Sequence, residues 1–408
     1  MTRFAESTRS QVMIDDPRMH FVHVPTPGDH YSPATGSAII TLIYQMARAH
    51  AVRGGETDVI VARGTRHDYE IGRCVEVSPR RPPVRWLRAV DSLAGRIGAR
   101  RFFGERAYRP FSRAVNSNFK GVLFVHNNPV AIPFFREHHP DATLCLWANN
   151  ELFRLYSNSE VDRVANAADR LICCSNFIAE GLRRRLKKNI EKVVVVRNGA
   201  DIDAFQPRQS TTKDIPTILF LGRVMDIKGP DLLVKAALFL AEAGYKFRLR
   251  IVGSNNFSSG DPVTPYESAL RKLAGPLGDC VAFQPFVDRS TVVREFASAD
   301  IFCVPSNWDD PCPLTVAEGL ASGLPMVVSR RGGIPEVAGD AALYFQPPDH
   351  RELALAIGRL LDSPQERKSL GVRARRRAEL VTWEHQYTEL CKSVGLPVFR
   401  GTDAGVVN

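Results

Sequence analysis

The sequence predicts an α/β protein made of two successive Rossmann-like domains whose mostly parallel sheets face a central cleft. Three observations carry this expectation. Short apolar β-type runs alternate with helical patterns along the whole chain, as stacked β-α-β units require. The alternation stops at a polar, proline-containing stretch, FQPRQSTTKDIP (205–216), and then restarts. The 408 residues, 44% apolar and 24% charged, suffice for two ordinary cores without a compositional bias toward disorder.

In the first half the strand candidates are HFVHVP (20–25), TDVIVA (57–62), GVLFVH (121–126), ATLCLWA (142–148), RLICCS (170–175) and KVVVVRN (192–198). Helical patterns fill the gaps, notably at 37–52, 130–138 and 176–188. In the second half the strands are TILFLG (217–222), FRLRIVG (247–253), CVAFQP (280–285), DIFCVP (300–305), PMVVS (325–329) and AALYFQ (341–346). The domains are placed at 1–207 and 208–381. A closing helix within 382–396, TWEHQYTELCKSV, returns toward the first domain.

Composition narrows the function. The opening MTRFAESTRS lacks a signal-type apolar core, and no run of about 18 apolar residues occurs, so a cytoplasmic chain is expected. Eight cysteines form no C-x-x-C pair and read as reduced core residues. Cys312 lies in the richest motif, but no histidine near it in sequence offers a base. No G-x-x-x-x-G-K-[ST] and no G-x-G-x-x-G is present, so P-loop hydrolysis and common dinucleotide binding lose their usual support. No His/Cys/Asp cluster has ligand spacing, so no metal and no resident cofactor are expected. The Asp201-x-Asp203 doublet, at the approach to the linker, reads as a helix cap.

The net charge of +10 is unevenly placed: residues 1–207 hold 30 lysines and arginines against 21 carboxylates, the remainder 24 against 23. Residues 80–113 alone carry ten arginines against Asp91 and Glu105. Within 82–104, Trp86, Val90, Leu93 and Ile97 share one helical stripe, with Arg85, Arg88 and Arg96 off it and prolines ahead of it. Two readings stand. The stripe packs on the first domain and leaves the arginines in water, as the interrupting Pro and Gly favour. Alternatively the segment lies on an anionic membrane surface, where a lipid-linked acceptor would be presented and the chain would be peripheral. No nucleic-acid module or aromatic ladder accompanies the charge, so nucleic acid is not an expected partner.

Two stretches carry chemistry. TILFLGRVMDIKGPDLLVKAALFL (217–240) puts Arg223 and Lys228 in the loop at the carboxyl edge of a parallel strand, where α/β folds bind ligands. A guanidinium fork and an ammonium point charge suit a diphosphate that becomes a leaving group. In PSNWDDPCPLTVAEGLASGLPMVVSRRGGIPE (305–336) a strand end opens a helix whose first N–H groups favour an anion. Asp310 and Glu318 are spaced so that one carboxylate lies in the loop and the other in the helix, both able to accept from hydroxyls.

Together these residues resemble the retaining GT-B glycosyltransferases of family four, the glycosyl transferases group 1. The likeness covers most of the chain. It rests on GR-x4-KG (222–229), an acidic residue, Asp310, followed after seven others by Glu318, GLASGLP (319–325) and GG-x-PE (332–336). SN (175–176), RNGAD (197–201) and Trp383-Glu384 support it. The resemblance implies that an N-terminal acceptor-binding domain faces a C-terminal domain holding a nucleotide-diphosphate sugar. Arg223 and Lys228 would hold the diphosphate, Glu318 the ribose and Asp310 the sugar hydroxyls. Main-chain groups of Leu314 and Thr315 would meet phosphates and sugar, the Phe286–Val287 turn would border the base, and Gly36 would let the backbone approach the phosphates.

The chain departs from the family near the reacting sugar. Asp310 stands where Glu is usual, and Pro313, lacking an N–H, where glycine is usual. Asn149 and Asn150 lie where relatives often place a histidine, and asparagine cannot accept a proton at neutral pH. A retaining transferase tolerates this loss, because the departing phosphate can take the acceptor proton on the same face. His126, at a strand end, is a further candidate for the cleft. The expected activity is transfer of a sugar to a hydroxyl in bacterial-type polysaccharide or glycoconjugate assembly. The alternatives are a nucleotide-sugar-binding partner subunit without catalysis, or an epimerase or hydrolase on the same fold.

Overall fold

The computed structural model describes residues 19–80, 84–208, 215–258 and 260–397. The expectations placed on the opening residues, on Pro82 and Pro83, and on 209–214 of the linker lie outside the described residues. Runs rich in Val, Ile, Leu and Phe become strands buried on both faces, as a parallel sheet covered by helices demands. They are β1 (His20–Val24), β2 (Glu56–Ala62), β3 (Arg73–Val77), β4 (Val122–His126), β5 (Thr143–Ala148), β6 (Arg170–Cys173) and β7 (Val193–Val195), followed by β8 (Thr217–Leu221), β9 (Arg248–Val252), β10 (Val281–Gln284), β11 (Ile301–Val304), β12 (Met326–Ser329) and β13 (Leu343–Phe345).

The first seven strands form one sheet, ordered β3-β2-β1-β4-β5-β6-β7, and the last six another, ordered β10-β9-β8-β11-β12-β13. Every pairing is parallel, with registers such as Phe21 against Val122 and Ile301 against Ile218. The strand order reverses between β1 and β4 in the first sheet and between β8 and β11 in the second. Loops that leave such a switch point diverge and open a crevice at the carboxyl ends of the strands. The loops carrying Gly36, Arg223, Lys228 and Asp310 all leave these four strands.

The helices of the first half are α1 (Ala38–Ala51), α2 (Arg85–Arg96), α3 (Phe102–Arg113), α4 (Ala131–His138), α5 (Asn158–Ala167) and α6 (Asn176–Arg183). Those of the second are α7 (Pro230–Glu242), α8 (Pro265–Ala274), α9 (Arg289–Ser298), α10 (Leu314–Ala321), α11 (Ile334–Ala338), α12 (His350–Asp362) and α13 (Pro364–Glu379). The last helix, α14 (Trp383–Val394), packs against α1: its Tyr387 and Leu390 share a core with Ile40, Ile43 and Met46. His50 Nδ1 and the Tyr387 hydroxyl lie 2.7 Å apart.

Several local expectations need correction. Strand β3 goes unpredicted because it is an edge strand whose Arg73 and Glu76 face outward, leaving no apolar run. Helix α6 stops at Arg183 instead of reaching 188. The basic segment makes two helices, α2 and α3, with Gly98 at φ +80° between them. The packing reading of its stripe is reversed. The buried residues of α2 are Asp91 and Gly95, while Trp86, Val90, Leu93 and Ile97 are exposed. Asp201 caps a turn rather than a helix, accepting from the Ala204 N–H at 3.0 Å and from Gln45 at 3.0 Å. Cys280 is exposed, against the reading of all cysteines as core residues.

Candidate functional site

Between the two sheets lies a cavity of about 400 Å³. From the first half it is lined by Gly36, Asn149, Asn150 and Asn198, and from the second by Arg223, Lys228, Phe286, Val287, Arg289, Asp310, Leu314, Thr315 and Glu318. The residues given a role in the sequence therefore meet at one place, with one exception.

The exception is His126. Side chains alternate along a strand, so His126 shares the face of Phe124, which packs with Trp147 and Phe21 in the core. Its ring is fully buried, its Nε2 is 2.9 Å from Nδ1 of His23, and burial lowers its pKa to about 3. An imidazole held neutral in the core takes no proton from a ligand in the cleft. Cys312 lines the cavity, but burial pushes its thiol up to about 12, which removes it as a nucleophile.

The cations and carboxylates of the site are arranged in an order no motif showed. Lys228 Nζ binds the Asp310 carboxylate directly and also sits 5.3 Å from the Trp308 ring. Glu318, on the second turn of α10, forms an ion pair of 2.5 Å with Arg289. Arg289 opens α9, just after Asp288, which caps that helix by accepting from Thr291 N. Arg223 has no ion-pair partner among the described residues and lies 5.9 Å from the Phe257 ring. Among the described residues, the cation at the cavity without an ion-pair partner is thus an arginine, whose planar fork matches phosphate oxygens.

Helix α10 points its amino end at the cavity. Its N-cap is Pro313, so the first donors are the amides of Leu314 and its successors. The loop before it is held by the paired glycines behind. Gly333 N donates to Asp310 O at 2.8 Å, and a Cβ on Gly333 would stand 1.8 Å from Pro311 O, which only glycine avoids. Across the cavity, Gly36 is pressed against the second half: a Cβ there would lie 2.6 Å from the Phe257 ring and 3.1 Å from Phe286. Asn149 presents a side-chain amide whose buried Nδ2 has no protein partner, and its backbone N–H donates to Asn127 Oδ1 at 2.8 Å.

Hydrogen bonds to two residues of the second half, Glu336 and Cys312, tie the halves together beside the site. Glu336 accepts from the Asn176 and Phe177 amides at 2.7 and 2.6 Å, satisfying the start of α6 with a carboxylate from α11. Asn198 donates to Cys312 O at 2.7 Å. Residues that sequence reasoning missed are Arg289, Phe257 and Trp308. Arg289 left a usable signal: a cation in the first turn of a helix opposes the helix dipole and calls for a carboxylate partner. The two aromatics left none.

Comparison with known proteins fits this geometry. Residues 201–377 match the glycosyl transferases group 1 family, and residues 40–204 match Glycosyltransferase Family 4. The chain belongs to the family-four, group 1 glycosyltransferases. Among relatives of this glycosyltransferase, Spore coat protein SA of Bacillus subtilis is 28% identical over 66% of the chain and 77% of its own length. The MMP alpha-(1->4)-mannosyltransferase of Mycolicibacterium hassiacum is 30% identical over 65% of the chain and 62% of its own length. The D-inositol 3-phosphate glycosyltransferase of Streptomyces scabiei is 30% identical over 54% of the chain, which spans only 52% of that relative. Sucrose-phosphate synthase of Thermosynechococcus elongatus superposes with a TM-score of 0.70 at 18% identity, over 91% of this chain and 98% of that one. Anabaena HepE in complex with UDP-glucose gives 0.65 at 15% identity, over 92% and 99%. The glycosyltransferase therefore has the GT-B fold, with its cavity in the cleft between the two Rossmann-like halves.

Proposed function

We propose that this glycosyltransferase moves a sugar from a nucleotide-diphosphate sugar to an acceptor hydroxyl with retention of anomeric configuration. The observation that carries the reading is the convergence on one cavity of unpaired Arg223, the Lys228–Asp310 and Arg289–Glu318 pairs, and the amino end of α10. Arg223 and the α10 amides bind the diphosphate, and Lys228 joins them as the donor takes its place. Glu318 accepts from the ribose, the Phe257–Phe286 pair walls the base, and Asp310 holds sugar hydroxyls. HepE, a fold neighbour, is described with UDP-glucose, which supports a donor of this class.

What the cavity offers the acceptor supports retention. Its acidic lining residues among those described, Asp310 and Glu318, both belong to the second half and are both ion-paired, and no histidine lines it. An inverting reaction needs a free base across from the leaving group. Here the bond from sugar to phosphate breaks with its electron pair going to the phosphate oxygen. The acceptor oxygen bonds to the same face, and its proton passes to that departing phosphate. Asn149, with its unpartnered Nδ2, orients the sugar or the acceptor. Arg223 and Lys228 neutralise the leaving charge, so no metal or resident cofactor is assigned.

We assign the acceptor to a growing polysaccharide or glycoconjugate. The eight unpaired cysteines support a reducing, cytoplasmic setting. Incubation with a panel of nucleotide sugars, with thermal shift for binding and mass analysis of products, tests the reading. Arg223→Ala plus Lys228→Ala is expected to lower transfer by roughly 100-fold or more, in a chain that still folds by circular dichroism but melts lower, because Asp310 loses its partner. Undiminished transfer by this double variant would refute the assigned roles. Tight donor binding with neither transfer nor hydrolysis across acceptors would instead identify a binding subunit.

A further inference from the structure

Helix α2 is docked inside out. Its inward side is polar: Asp91 accepts from the Phe103 and Gly104 amides at 3.1 and 2.7 Å and so caps α3. Gly95 lies against the carboxylate of Glu160, which a Cβ would approach to 2.1 Å, and Gly95 O accepts from Ser157 Oγ at 2.8 Å. Glu160 in turn binds Arg101 at 2.7 Å. The apolar stripe faces away. Trp86 is 67% exposed, Leu93 62% and Ile97 81%, with Val90 between them. Leu155, 78% exposed, stands on the loop whose carbonyl at that residue Arg101 Nη2 binds at 2.6 Å, just beyond the end of α2.

Apolar side chains at helical spacing on the outside of a helix, with its polar side spent on docking, mark a surface that meets another apolar phase. The charge around the stripe says which. Arg85 and Arg96 stand eleven positions apart, as Trp86 and Ile97 do, and so line one edge of it. No carboxylate pairs with Arg85, Arg88 or Arg96 among the described residues, and the acids of this segment, Asp91 and Glu105, are buried in internal bonds. A second copy would bring like charges face to face along the patch. An anionic lipid surface instead satisfies both the stripe and its arginine edge.

We propose that α2 and the tip at Leu155 form an interfacial anchor that lays the first half on a membrane carrying anionic headgroups. The loop bearing Leu155 begins at Asn149 and Asn150 of the cavity wall, so the anchor and the acceptor side of the cleft share one short segment. This assignment does not depend on sugar transfer, and its test is read without it.

The full chain is mixed with phosphatidylcholine vesicles, with and without about 30% phosphatidylglycerol, at about 0.1 M salt, and the sedimented fraction is measured. Binding is expected with phosphatidylglycerol and at least about tenfold weaker without it. Leu93→Glu plus Ile97→Glu, and separately Arg85→Ala plus Arg96→Ala, are each expected to weaken binding at least about tenfold while the melting temperature is kept, because all four side chains are exposed. Failure of the wild-type chain to sediment with either vesicle overturns the proposal. Equal binding by both variants overturns it as well. So does sedimentation-velocity evidence of a dimer that the Leu93→Glu plus Ile97→Glu change dissolves while vesicles bind neither form.

Discussion

Glu318, nearly closed to solvent, pairs with Arg289, whose side chain is 25% exposed, and removing one partner strands the other. Breaking a buried pair costs roughly 3–5 kcal/mol, whereas removing both costs far less than the sum. Glu318→Ala and Arg289→Ala are therefore expected to lower stability strongly and the double variant much less, as read by urea unfolding. Additive losses would show that the pair is not coupled. Gly36 gives a second prediction. Its Cβ would stand 2.6 Å from the half-exposed Phe257 ring, which can swing away, so Gly36→Ala should spare the melting temperature but, on the proposed donor site, raise the donor KM about tenfold or more by disturbing the Phe257–Phe286 wall. An unchanged KM would mean that the close contact of the halves does not shape the donor site. Arg223 and Lys228 were legible at this scale because their loop position follows from the strand before them. Their partners were not: Lys228 meets Asp310 82 positions away and Arg289 meets Glu318 29 away.

At the scale of elements, α5 begins with a complete capping box. The Ser157 side chain accepts from Glu160 N, and the Glu160 carboxylate accepts from Ser157 N at 2.8 Å. The same Ser157 Oγ donates to Gly95 O, so one hydroxyl both starts α5 and tethers α2. Ser157→Ala is expected to cost about 1 kcal/mol and to speed amide exchange in α2 relative to α1. Exchange in α2 at the wild-type rate would disprove the tether. Strong apolar runs marked every strand except the polar edge strand β3. The orientation of α2 was not legible, because its period defines a stripe without saying which side docks. Asp91 and Gly95 decide that, through contacts with α3 and α5.

At the scale of the molecule, the face of the first sheet under α1 and α14 encloses three neutral histidines, His23, His50 and His126. Burial lowers the His50 pKa from 6.5 to about 4, so the folded protein excludes a proton that the unfolded chain takes up. Its contribution is complete above pH 6.5 and is lost as the pH falls toward 4, on the order of 2 kcal/mol by pH 5. The urea midpoint should fall between pH 7 and pH 5, and His50→Gln should flatten that fall; an equally steep fall in the variant would assign it elsewhere. Sequence by itself determined the two parallel sheets, the loops at strand ends that carry Arg223, Lys228 and Asp310, and the helix that opens after Pro313, since alternation, strand ends and helix starts are written in short stretches of chain. Tertiary structure decided that His126 points into the core, that Lys228 is tied to Asp310, that Glu336 from the second half caps α6 of the first, and that α2 shows its apolar side to the outside. Each of these depends on which distant surfaces the packing of the two sheets brings together, and short-range pattern holds no record of that.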